Sequence, residues 1–83
     1  MNKDLVAFAE NLVKGIVREP DMVTIKEFGA EDDAIILEII VHESDMGAVI
    51  GRGGKMAGAI RTMVQAYAYL NLNKRIKINI DSF

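Results

Sequence analysis

The sequence contains no cysteine, no tryptophan, one proline, one histidine and five phenylalanine or tyrosine residues. Without cysteine there can be no disulfide, no thiolate nucleophile and no cysteine-type zinc site. His42, alone, cannot build a metal centre, so no cofactor or metal is expected. No stretch approaches the ~18–20 apolar residues of a membrane span, and no membrane partner is expected. Met1-Asn2-Lys3-Asp4 shows no export-signal pattern. The expectation is a soluble, cytoplasmic protein.

What is present is a dense supply of core-forming side chains. Of the 83 residues, 51% are hydrophobic, mostly Ile, Val, Leu, Ala and Met. That length points to one domain over residues 1–83, and that composition argues against disorder. A chain this small buries only about 60% of the surface its unfolded form exposes, so its core must be efficient.

The formal net charge of -2 hides a strong asymmetry. Residues 1–45 hold eleven acids and four bases, a balance of -7. Residues 46–80 hold six bases (Arg52, Lys55, Arg61, Lys74, Arg75 and Lys77) and no acid, a balance of +6, and Asp81 supplies the remaining -1. A split of this kind suits a polyanionic partner for the second half, or equally a solvated surface of uneven composition.

Periodicity gives the element order. Leu5, Phe8, Ala9, Leu12, Val13 and Ile16 recur at helical spacing, which predicts a helix over about residues 3–17, with Asn2 as its cap. Residues 22–28 read as a strand, residues 29–33 as a polar turn, and residues 34–41 as a central strand, the two strands forming an antiparallel hairpin. Ser44 or Asp45 is positioned to cap a short helix through Met46–Ile50. A longer helix is expected over about residues 55–71, and Ile76, Ile78 and Ile80 alternate with polar residues in a strand over 75–80. The distance between the last two strands suits a crossover and hence a parallel pairing. The expected fold class is α+β, in the order α-β-β-α-α-β: a three-stranded mixed sheet with three helices packed on one face. The central strand has two apolar faces, one with Ile36 and Ile40 and the other with Ile35, Leu37, Ile39 and Val41, and either is able to meet the helices.

The stretch Gly51-Arg52-Gly53-Gly54 carries the functional signal. A Walker A loop requires Gly-x-x-x-x-Gly-Lys-Ser/Thr. Here Gly54-Lys55 is followed by Met56, and the first glycine position is Val49. A dinucleotide fingerprint begun at Gly51 ends on Met56 and follows a helix instead of a strand. What fits is Gly-x-x-Gly between two helices, whose bare main chain admits a sugar-phosphate backbone to close range. The next helix turns its N–H groups toward the phosphates, and Arg52 and Lys55 add full charges. A tight interhelical turn with no ligand would use the same glycines.

Val49-Ile50-Gly51-Arg52-Gly53-Gly54-Lys55 with Ile60 resembles the Val-Ile-Gly-x-x-Gly signature of KH domains. The element order resembles the type II arrangement. The lead-in from Asp45 and the continuation Ala57-Gly58-Ala59-Ile60-Arg61 look like the short bacterial single-KH proteins of the KhpA type. One departure is Ala57, where a larger aliphatic residue is common. The resemblance spans essentially the whole chain. It implies a noncatalytic protein that clamps short single-stranded RNA, with Gly51, Arg52, Gly53 and Gly54 as the backbone clamp. Lys55 and Arg61 are then candidate phosphate contacts, with a merely solvated Arg61 as the alternative, and Val49 and Ile50 line an apolar floor or belong to the core. It further implies an RNA-chaperone role beside a second KH protein, with consequences for growth and cell shape.

The long helix carries two apolar stripes. One is Ala57, Ile60, Val64 and Ala68; the second is Met56, Ala59, Met63, Ala66 and Leu70. Gly58, Arg61, Thr62, Gln65 and Tyr69 form the polar side. A helix on so small a domain needs one stripe for its own core. Either both stripes form one wide core-facing surface, or the second meets another chain, in a homodimer or with a second KH protein; the surplus favours the latter. The competing functional reading is a dimerisation or adaptor protein with the same fold, in which RNA binding is weak or secondary.

Overall fold

The computed structural model describes residues 3–29 and 34–83. Asn2 and most of the 29–33 turn lie outside these residues. The order is α1 (Lys3–Lys14), β1 (Thr24–Gly29), β2 (Ile35–Val41), α2 (Met46–Ile50), α3 (Lys55–Leu72) and β3 (Ile76–Ser82). The sheet order is β1-β2-β3. β1 runs antiparallel to β2, with Thr24 opposite Ile40 and Phe28 opposite Ile36. β2 runs parallel to β3, with Ile35 opposite Ile76 and Val41 opposite Ser82. The expected α+β architecture is the one observed.

The helices choose the face of β2 that carries Ile35, Leu37, Ile39 and Val41, all buried. Glu38 occupies the other face, between Ile36 and Ile40, which are half-buried. One charge at the centre of that face makes its burial the costlier choice. Against the inner face pack Leu5, Ala9 and Val13 of α1, Val49 of α2, and Ile60, Val64 and Ala68 of α3. Burying each large aliphatic side chain contributes about 1.5–3 kcal/mol. Phe8 and Tyr67 stack with ring centroids 4.7 Å apart, which joins α1 to α3. No described helix is long and apolar enough to cross a membrane.

Element ends depart from the sequence reading for local reasons. α1 stops at Lys14, not near residue 17, because the chain turns at Gly15, where the Ile16 N–H donates to the Val13 carbonyl at 3.0 Å. Ile16 and Val17 continue the apolar pattern and still pack against the core. β1 begins at Thr24 because Pro20–Met22 forms a 3-10 turn, closed by the Val23 N–H on the Pro20 carbonyl. β3 runs on to Ser82 because Asp81 and Ser82 find partners in Ile40 and Val41.

Asp45 stands at the N-cap position of α2, but its side chain makes no capping hydrogen bond. Ser44 is held by His42, whose Nδ1 accepts from the Ser44 N–H at 3.1 Å. Asp45 is buried, and its two carboxylate oxygens accept from the backbone N–H groups of Arg18 and Glu19, each at 3.0 Å. It thus pins the α1–β1 connection to the start of α2, a link between segments far apart in sequence. Asp45→Ala would leave both donors unsatisfied. The expected loss is about 2 kcal/mol, on the scale of a charge-assisted hydrogen bond and an orphaned partner, read from urea denaturation followed by circular dichroism.

Candidate nucleic-acid interface

The loop between α2 and α3 is shaped by glycine. Gly51, Gly53 and Gly54 all have positive φ, at 76°, 63° and 78°, where side chains are strained. The three positions differ in what surrounds them. A Cβ on Gly51 would fall 2.6 Å from the Met56 Cβ and 2.8 Å from its backbone nitrogen. Gly51 is therefore where the first turn of α3 comes back against the end of α2. A Cβ on Gly53 or Gly54 would meet nothing within 4 Å. These two face open space, so their main chain is approachable from outside.

The loop's polar groups point to an anion. The Gly54 N–H donates to the Gly51 carbonyl at 3.2 Å. Among the described residues, the N–H groups of Arg52 and Gly53 have no acceptor. Two free donors at the tip of a left-handed turn form a concavity suited to a phosphate oxygen. The side chains of Arg52 and Lys55 flank it, exposed. Among the described residues, the ion pair found is Lys14 with Glu10 on α1, so both cations are unpaired.

Beyond the loop, one face of α3 overlooks the free edge of β3. The Arg75 carbonyl accepts from the Ile35 N–H at 2.9 Å, toward β2. By strand alternation, the backbone groups of Ile76, Ile78 and Ile80 then point away from the sheet. Arg61 confirms that direction, since its Nε donates to the Ile78 carbonyl at 3.5 Å. Gly54, Gly58, Arg61, Gln65 and Tyr69 recur at helical spacing on this face. Gly58 is exposed, and a Cβ there would touch nothing within 4 Å. The loop and this face form a groove along the edge of β3, where Arg61 takes the Ile78 carbonyl and the outward backbone groups of Ile76 and Ile80 have no partner among the described residues.

The sequence-predicted residues divide accordingly. Gly51, Arg52, Gly53, Gly54 and Lys55 lie together at the loop. Arg61 lies along the groove, half-buried and held to β3 through Nε, with its terminal nitrogens free of any partner among the described residues. Val49 has no exposed surface, which places it in the core and not on a binding floor. Ile50 is half-buried and lies next to the loop. The departure at Ala57 is buried under α3. Sequence reasoning missed the structural use of Gly51 and the exposed edge of β3; the alternation of isoleucines in β3 identified a half-buried strand but not its place at the edge.

The second stripe of α3 faces outward. Met56, Ala59, Met63, Ala66 and Leu70 are all exposed, Leu70 by 78%. Met56, Ala59 and Met63 border an apolar cleft of about 390 Å3 with Leu12, Gly15 and Ile16 at the end of α1. This surface is separate from the groove. Among the described residues no group of His, Cys, Asp or Glu is arranged to hold a metal ion.

The family model described as "KhpA/KhpB, KH domain" matches residues 6–80. The chain is 44% identical over 71 residues to the RNA-binding protein KhpA of Clostridium acetobutylicum, covering 86% of this chain and 92% of that one. It is 42% identical over 78 residues to KhpA of Clostridium perfringens, covering 94% and 97%. Among solved structures, Aquifex aeolicus Era bound to GDP and AlF4- superimposes with a TM-score of 0.71 at 16% identity. Era in complex with MgGDPNP and nucleotides 1506–1542 of 16S ribosomal RNA does so with a TM-score of 0.68 at 17% identity. These matches cover 95% and 94% of this chain but only 30% and 29% of the Era chains, and they show the fold alone.

Proposed function

Because the chain belongs to the KhpA/KhpB KH-domain family and has the type II KH fold, we propose that residues 1–83 act as a single noncatalytic domain that binds single-stranded RNA in the cytoplasm. The Gly51–Gly54 loop clamps the RNA backbone. The observation that carries this reading is the loop itself: among the described residues, two N–H groups without acceptors and unpaired cations at Arg52 and Lys55, with open space at Gly53 and Gly54. Phosphate contacts of this kind position the strand, while sequence is read at base edges. The free edge of β3 supplies donors and acceptors for such reading. The KhpA relatives named as RNA-binding proteins support the same conclusion.

The test is titration of a labelled eight-nucleotide single strand and of the matching duplex, at low and moderate salt. The single strand is expected to bind in preference. If about three phosphates are neutralised, log affinity falls against log salt with a slope near -2. Salt-independent binding would contradict phosphate clamping.

The outward stripe on α3 favours a second element of this reading, a partner. Two α3 helices related by a two-fold axis bury Met63 and Leu70 against one another, with Ala59 and Ala66 permitting close approach. A second KH protein is the other candidate for the same surface, which also suits the adaptor reading. Leu70→Glu is expected to shift the protein from twice the chain mass to one chain mass in light scattering at micromolar concentration, with the circular dichroism spectrum unchanged, since Leu70 is exposed in the single chain. A wild-type protein already at one chain mass excludes the homodimer and leaves the foreign partner.

A further inference from the structure

At the far end of the groove, α3 closes on Asn73, whose left-handed conformation (φ 52°) turns the chain sharply into β3. That turn brings Lys74 and Arg75 beside the last turns of α3. Gln65, Tyr69, Lys74, Arg75 and Ile76 line a hollow of about 320 Å3 there. Tyr69 is 68% exposed, and the aromatic stacking among the described residues is that of Phe8 with Tyr67, so the Tyr69 ring has no partner. Neither Lys74 nor Arg75 has a carboxylate partner among the described residues.

An exposed ring beside two unpaired cations has the chemistry of a site for one nucleotide, with a π-face for the base and positive charge for its phosphate. The hollow is also in line with the loop. Tyr69 and Gln65 continue the row of Arg61 and Gly58 from Gly54, fifteen residues of helix or about 22 Å along its axis. Ile76, at the floor, begins the free edge of β3. A single strand held at the loop and laid along this edge arrives at the hollow.

We propose that Tyr69, Lys74 and Arg75 form a second RNA subsite, which stacks and holds a nucleotide beyond the roughly four that a KH loop clamps. This rests on the clamp proposed above. The protein then binds a longer strand than the loop alone accommodates, and two anchor points at the ends of α3 keep that strand extended. Gly58, with open space where a Cβ would stand, adds no side chain to the path, and Arg61, held to the Ile78 carbonyl, lines its middle.

The test compares random-sequence RNAs of four and ten nucleotides against wild type, Tyr69→Ala, Tyr69→Phe and the double variant Arg52→Asp, Gly53→Asp. Circular dichroism and light scattering establish equal folding and equal mass. Tyr69→Ala is expected to weaken binding of the ten-mer by about tenfold, the scale of one stacked base, and to leave the four-mer unchanged. Tyr69→Phe retains wild-type affinity for both. The loop variant loses affinity for both lengths. If the loop variant behaves so but Tyr69→Ala binds the ten-mer as tightly as wild type, or weakens both lengths equally, the second subsite is overturned while the clamp stands. If the loop variant binds both lengths as wild type does, the clamp itself fails, and the second subsite with it.

Discussion

Gly51→Ala is expected to destabilise the protein by about 3 kcal/mol or more, through two independent effects. The first is conformational. Gly51 has φ 76° and ψ 172°, a region essentially closed to residues with a Cβ. The second is steric, since the added methyl would lie 2.6 Å from the Met56 Cβ and 2.8 Å from the Met56 nitrogen. The obstacle includes backbone, so relief requires moving the start of α3 away from α2. For a chain of this length the whole folding free energy is only about 4–12 kcal/mol. Gly53→Ala is the control. Gly53 is left-handed (φ 63°, ψ 21°) but open to solvent, and the expected cost is about 1 kcal/mol. Urea midpoints for the two variants separate these roles, and equal midpoints would show that the close approach at Gly51 is not a constraint.

The double substitution Arg52→Asp with Gly53→Asp is expected to reduce affinity for single-stranded RNA by at least about tenfold at moderate salt, while the protein remains folded. It changes the loop by three negative charges: two from the reversal at Arg52 and one at Gly53. A unit charge about 7 Å from a phosphate in water interacts by roughly 0.6 kcal/mol, so three amount to about 2 kcal/mol. Aspartate is among the residues that tolerate the left-handed conformation of position 53, at a cost of about 1 kcal/mol or less. Gly51 and Gly54 are untouched, so the α2–α3 packing is preserved. Direct binding at matched salt, beside circular dichroism spectra, checks both halves of the expectation. Affinity unchanged by three added negative charges would place the RNA elsewhere.

Much of this protein was readable from residue spacing. The helical repeat of Leu5, Ala9 and Val13, and the buried stripe Ala57, Ile60, Val64 and Ala68, marked the inner faces of α1 and α3 correctly. The outward direction of Met56, Met63 and Leu70 followed from the same geometry. β2 was identified as central but not which of its faces is inside, because Ile36 and Ile40 make both faces apolar. The answer depends on the single charge of Glu38 and on the helices above.

Other features were hidden because their causes are nonlocal. Asp45 stands next to a helix start, which reads as a cap, yet its donors are 26 and 27 residues away. Three glycines of one loop look alike in sequence, but only Gly51 is set against another residue's Cβ. The end of α1 was placed too late because Ile16 and Val17 keep burying apolar surface after the helix has stopped. Burial, and not helix continuity, sets that pattern. Val49 and Ile50 are adjacent on a helix of five residues, too short for periodicity to decide which is buried.

In the proposed complex, RNA meets the protein at the Gly51–Gly54 loop and along the α3–β3 groove. Amide chemical-shift mapping of the isotopically labelled protein, titrated with a short single-stranded RNA, tests this placement most directly. The amides of Arg52, Gly53, Gly54 and Lys55 are expected to move most, followed by those facing the free edge of β3, with Met63 and Leu70 unmoved. Perturbations confined to the Met63–Leu70 face, or none at the loop under saturating RNA, would contradict it.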